Sequence, residues 1–167
     1  FATVQDEYES SLLVGADGAN SRVRRTVAPE HADNRYVGYA IWRGLVPEGA
    51  VAAHAADTLF HRMTFFTEPG EHALGYLVPG PRGETREGAR RYNWVWYRRL
   101  DAAGLKALML SAHREPGSNS LAPGQTPPEV IRDLVDDAQD RLPPHVPARA
   151  SARRRSWRAR VGASARS

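Results

Sequence analysis

The sequence predicts an α/β (α+β) protein, built as a short strand–turn–helix unit followed by a mostly antiparallel β-sheet with flanking helices. Three observations predict it. Residues 11–16 (SLLVGA) form an uninterrupted apolar run that breaks at Asp17-Gly18, as a strand buried on both faces does. Four later stretches are rich in aromatic and β-branched residues and are separated by turn formers, the signature of strands in a meander. Helical spacing returns over 102–142.

In chain order, residues 1–10 are polar, with the weak alternation of a hairpin end. The apolar strand 11–16 runs through the turn at Asp17-Gly18 into a helix over 19–27, where Val23 and Val27 lie four residues apart and Arg22, Arg24 and Arg25 take the wetter faces. Strands follow at 36–46, 58–67, 73–78 and 91–98, the last two separated by the turn-rich GPRGETREG. A short helix is expected at 102–111, then a Pro/Gly-interrupted loop. Thr126-Pro127-Pro128-Glu129 reads as a helix start, with Thr126 as cap, Pro127 at the first position and Glu129 three residues after the cap. Val130, Ile131, Leu134, Val135, Ala138 and Leu142 then share one face, and Pro143-Pro144 stop the helix. Three segments result: 1–35, 36–147 and 148–167.

Composition narrows the function classes. The 167 residues, 41% hydrophobic, suffice for a domain with a real core. The absence of cysteine excludes disulfides, iron–sulfur clusters and thiolate zinc sites. His54, His61, His72 and His113 are scattered, with no metal-ligand spacing. No apolar run approaches the roughly 18 residues of a membrane span. The net charge of +4 is misleading, because residues 148–167 hold seven Arg and no acid; without them 16 basic and 19 acidic side chains remain, a net of −3. Seventeen of those twenty residues are Ala, Arg or Ser. They read either as a disordered basic tail or as non-native sequence from a frame slip. The acidic body argues against nucleic acid as a partner.

The stretch that carries chemistry is LLVGADGANSRVRR, residues 12–25. A strand that ends at Gly15-Ala16-Asp17-Gly18 ahead of a helix opening at Ser21 and Arg22 gathers main-chain N–H groups at one point. Gly18 lets main chain approach a ligand with no Cβ between them. Asp17 disfavours a bare phosphate and suits hydrogen bonds from a hydroxyl or a water, or the orienting of a nearby Arg; a simple capping role is the plainer alternative. Farther along, Tyr92, Trp94 and Trp96 alternate onto one face of their strand, where they line either an aromatic-substrate pocket or the sheet core. Arg43 reads as the partner of an acid rather than of a ligand.

GADGANSRVR resembles the Asp-Gly fingerprint of the FAD-dependent aromatic-ring hydroxylases, the flavoprotein monooxygenases like para-hydroxybenzoate hydroxylase. YAIWRGLVP at 39–47, GYLVPG at 75–80 and RYNWVWYR at 91–98 are similar to the subgroup typified by 2,6-dihydroxypyridine 3-monooxygenase, as are SLAPG at 120–124 and LPP at 142–144. The resemblance runs over residues 10–145. It implies a partial flavin-binding Rossmann-like domain at 1–35 and a substrate domain at 36–147. It implies FAD as cofactor, held beside Gly15, Ala16, Asp17, Gly18, Ser21 and Arg22, with NADH or NADPH as electron donor. It further implies a small aromatic substrate and O2, oxygen transfer from a flavin C4a-hydroperoxide, a cytoplasmic location and a homodimeric parent, with no membrane partner. The family's GxGxxG strand–helix start and its later Gly-Asp motif do not occur in this sequence. The chain is therefore expected to be an internal fragment that holds FAD poorly by itself and is inactive alone. No catalytic side chain is assigned. Two other classes stay open: a nucleic-acid-binding module working through the basic tail, and a non-catalytic interaction domain.

Overall fold

The computed structural model describes residues 8–33, 35–114, 120–122, 124–144 and 146, together with the backbone of 157–160. The chain divides into two compact units, 1–37 with 163–167, and 38–162.

In the first unit, α1 (Arg22–Val27) follows a turn at 19–20, closed by Ser21 N donating to Gly18 O at 3.1 Å, one step beyond the expected Asp17-Gly18. Residues 11–16 do not form the expected strand. They lie in irregular chain, with Leu12, Leu13 and Val14 exposed. A strand buried on both faces needs a hydrogen-bonded neighbour on each edge, and no described residue pairs with this run. The helix is also shorter than its spacing suggested, because the chain at 19–21 is spent on the turn and the cap.

The second unit is built on one antiparallel sheet. Its strands are β1 (Tyr39–Pro47), β2 (Thr64–Glu68), β3 (Glu71–Val78), β4 (Arg91–Arg99) and β5 (Trp157–Arg160), in the order β2-β3-β4-β1-β5. The stretch 148–167, expected to lack structure or to be foreign, thus contributes a fifth strand, aligned antiparallel to β1 from Ile41 to Gly44. Its Arg-rich composition gave no strand signal, since pairing with a ready-made edge supplies what propensity does not. The helices are α2 (Ala53–Leu59), α3 (Ala102–Ser111) and α4 (Pro128–Arg141).

Two expectations change here. Residues 58–63 end α2 and turn instead of opening β2. Ala-rich AHAADTL favours helix, and Ala55 and Leu59, one turn apart, are both fully buried. Thr126 does not cap α4: the cap position falls on Pro127, and the buried Thr126 hydroxyl has no hydrogen-bond partner among the described residues. The apolar face of α4 is as the spacing predicts, with Leu134, Ala138 and Leu142 buried.

Register assigns the two faces of the sheet. Trp42, Gly44 and Val46 of β1 lie opposite Trp96, Trp94 and Tyr92 of β4, which lie opposite Ala73, Gly75 and Leu77 of β3. Helix α4 is tied to the Glu71–Arg98 end of this face by Arg98–Asp137 and Arg141–Glu71 ion pairs, each 2.6 Å. Phe60, at the end of α2, packs its ring 6.2 Å from that of Tyr92. This is the core face. Two glycines make room for its aromatics: both lie opposite Trp94, and a Cβ at Gly44 would lie 2.1 Å from the Trp94 indole while one at Gly75 would lie 2.5 Å from the neighbouring Tyr92 ring. A buried fork closes one end of the sheet. Glu48 Oε2 accepts from Gly88 N (2.8 Å) and Arg90 Nε (3.0 Å), while Arg90 NH2 reaches Glu48 Oε1.

Candidate functional site

The Asp-Gly segment uses its polar groups on itself. Asp17 Oδ2 accepts from the main-chain N–H of Arg22 (2.6 Å) and of Val23 (3.3 Å), and Oδ1 accepts from the Ser21 hydroxyl. Ser21 Oγ in turn accepts from Arg24 N at 2.9 Å. The Ser21 hydroxyl bond foremost, aided by the Arg22 and Val23 amides, lowers the Asp17 carboxyl to about 2. The donors at the start of α1 are therefore already satisfied by a carboxylate, and a phosphate placed there would meet its charge. What stays available is main chain. Gly18 has φ +77° and no atom within 4 Å of where a Cβ would stand, whereas Gly15 is pressed on Val23, with 2.7 Å from an added Cβ to Val23 Cγ1. The site residues of this segment thus sort into an open approach at Gly18, a packed one at Gly15, and a cap made by Asp17 and Ser21. The Arg22 amide is part of that cap.

The aromatic residues singled out by alternation occupy the core face. Tyr92, Trp94 and Trp96 are at most 1% exposed. Burial pushes the Tyr92 hydroxyl up to about 12, with Thr64 beside it pulling weakly the other way; neither oxygen makes a hydrogen bond of good geometry among the described residues. Arg98 lies over the Trp96 ring, 4.5 Å from its centroid. These rings are sheet core.

The opposite face is more open. Along β1, Tyr39, Ile41 and Leu45 are half-buried and Arg43 is exposed, in strict alternation with the buried core-face residues. A row of rings crosses four strands: Tyr39 to Tyr97 at 5.9 Å, Tyr97 to His72 at 5.7 Å, and His72 to Phe65 at 5.8 Å. Thr67 Oγ1 and His72 Nδ1 are 3.0 Å apart. Beside this row lie Leu45, Asn93 and Tyr76 in one cross-strand rank, and Arg43, Val95 and Leu74 in the next. No ion pair of Arg43 occurs among the described residues. Asn93 shares this second face of β4 with Val95 and Tyr97. Its signal was available: an amide side chain in the middle of a strand that is otherwise aromatic, aliphatic and Arg.

Residues 36–151 match the profile of the FAD binding domain-like family. The chain is 42% identical over 74 residues to 3-amino-4-hydroxybenzoate 2-monooxygenase of Streptomyces cremeus, covering 44% of this chain and 18% of that protein. It is 32% identical over 147 residues to 2,6-dihydroxypyridine 3-monooxygenase of Paenarthrobacter nicotinovorans, covering 78% and 35%. The fold is similar to that of 2,6-dihydroxypyridine-3-hydroxylase from Arthrobacter nicotinovorans, with TM-score 0.72 and 24% identity over 89% of this chain and 36% of that one. The chain thus spans about a third or less of the length of these proteins.

Proposed function

The chain belongs to the FAD binding domain-like family, and on that premise we propose that it is part of an FAD-dependent monooxygenase that hydroxylates a small aromatic or hydroxypyridine-type ring. The observation that carries the reading is the family match over 36–151, which takes in four of the five strands of the antiparallel sheet. Relatives named for a hydroxybenzoate and a dihydroxypyridine support the substrate class. We place NADH or NADPH as electron donor, O2 as co-substrate, and a homodimeric parent in the cytoplasm; no helix among the described residues is long and apolar enough to cross a membrane.

FAD fits this chain through main chain. Gly18 offers an unobstructed approach, and Gly15 and Ala16 lead up to it, while Asp17, Ser21 and Arg22 keep the turn in shape by closing the start of α1. When bound, the flavin would supply the reducing power that activates O2 for attack on an electron-rich ring. The contribution of the sheet is to bind and orient that ring and to keep water from it.

The test is a longer protein that contains these residues. Purified, it should be yellow and should consume NADH or NADPH faster when a hydroxylated ring is added. A colourless protein that takes up no FAD on incubation would refute the reading.

A further inference from the structure

Asn93 is the anomaly of the central strand. β4 has two strands on either side of it, and amide side chains are disfavoured in such positions because they bring polar atoms into a packed, pleated surface. Asn93 is 7% exposed, and its Nδ2 has no hydrogen-bond partner among the described residues. A buried donor left unpaired costs stability, and an apolar residue of the same shape would avoid that cost. Packing therefore does not account for the amide. Its surroundings do suggest a use. It lies on the sheet face opposite the core face, between half-buried Leu45 and Tyr76, one rank from Val95, Leu74 and the exposed Arg43. An apolar floor with one amide donor and one cation at its side suits a flat ring that carries oxygen substituents.

We propose that Asn93 is a substrate-binding residue, donating a hydrogen bond from Nδ2 to a ring oxygen of a hydroxylated aromatic compound lying over Leu45, Val95 and Leu74, with Arg43 favouring a ring bearing negative charge. This rests on the hydroxylase reading and gives it a specific anchor. The oxygen substituents of the ring are what the amide selects; the floor alone accepts any small arene.

The test uses the 167-residue chain, isotopically labelled, with 2,6-dihydroxypyridine and 3-amino-4-hydroxybenzoate as probes and pyridine as the control without ring oxygens. The dihydroxypyridine should shift the Asn93 side-chain amide resonances. Asn93→Leu should weaken its binding about tenfold, as loss of one hydrogen bond of roughly 1.4 kcal/mol does, and leave pyridine binding unchanged. The same variant should keep or raise Tm, because it removes an unpaired buried donor. Arg43→Gln should weaken the benzoate more than the dihydroxypyridine. If Asn93→Leu lowers Tm and leaves binding intact, the amide is structural and the proposal fails. If the probes move Leu45 and Val95 signals but not Asn93, the anchor is wrong while the hydroxylase reading stands. If no probe disturbs the sheet, the anchor is equally refuted, and the hydroxylase reading is judged by flavin uptake of the longer protein.

Discussion

Residues 11–16 and residues 91–98 are both strongly apolar, yet they end in opposite conditions. Leu12 and Val14 are 74% and 73% exposed, while Trp94 and Trp96 are 1% and 0% exposed. The difference lies in the partners. β4 has a strand hydrogen-bonded on each side and an ion pair from Arg98 to Asp137 of α4, so its main-chain groups are paired where its rings are buried. The 11–16 run has no paired strand among the described residues, and apolar side chains by themselves do not hold an extended chain in place. Hydrophobicity is a demand, and neighbours decide whether it is met. Substitutions in the two regions should therefore differ sharply in consequence.

The largest effect is expected at Gly44. A valine there would drive its Cβ into the Trp94 indole, with backbone of two strands on either side and no flexible end to yield. We expect Gly44→Val to abolish the cooperative thermal transition of the 167-residue chain. Trp94→Ala, which leaves a cavity instead, should cost about 3–5 kcal/mol, read by urea denaturation. Equivalent substitutions of Leu12 or Val14 to Ser should stay within about 0.5 kcal/mol. If Leu12→Ser costs as much as Trp94→Ala, the contrast is false and the 11–16 run is packed in solution.

An intermediate effect belongs to Glu48. Arg90 foremost holds its carboxyl below the ordinary glutamate range, helped by the Gly88 amide and opposed by burial. A carboxyl depressed in the folded state stabilises at pH values above its unfolded value, and the benefit is lost as pH falls through the folded value. Tm should therefore decline on acidification below the usual glutamate range. Glu48→Gln should lower Tm by roughly 5 °C at neutral pH and flatten that decline. A Gln variant with the wild-type acid profile would show that other carboxylates set it.

How much of this was legible beforehand follows the same division. Alternation in β1 and β4 and the periodicity of α4 are local patterns, so the sheet and the last helix could be read from the residues. The face that meets solvent could not. Period two separates Tyr92, Trp94 and Trp96 from Asn93, Val95 and Tyr97 but says nothing of which set will be covered, so the choice between an aromatic pocket and the sheet core for the larger rings needs their burial, at most 1% exposed. α2 was missed because seven mostly small residues carry little amphipathic signal. The Glu48–Arg90 fork joins residues 42 apart, and β5 pairs a segment whose composition resembles no strand; neither follows from any local rule. A turn ahead of a helix is legible in the Asp-Gly stretch, while its place at 19–20 and the use of the Asp17 carboxylate depend on geometry.

That carboxylate gives the smallest and most local effect. Asp17 accepts from the amides of Arg22 and Val23 and from the Ser21 hydroxyl, and these bonds hold its carboxyl at about 2. The folded value lies below the unfolded one, so the cap is complete above the ordinary aspartate range and weakens as pH approaches about 2. The amide resonances of Arg22 and Val23 should report that single titration in the 167-residue chain, while global melting at neutral pH is unchanged by Asp17→Asn. Asp17→Ala removes both acceptors and should speed hydrogen exchange at Arg22, Val23 and Arg24, leaving the amides of β4 protected. Were Asp17→Ala to lower β4 protection as well, the two regions would be energetically coupled, and the contrast between a satisfied sheet and a self-capped turn would have to give way to a single cooperative unit. Were the Arg22 and Val23 amides instead insensitive to both pH and substitution, Asp17 would not be capping, and its carboxylate would be available to a ligand after all.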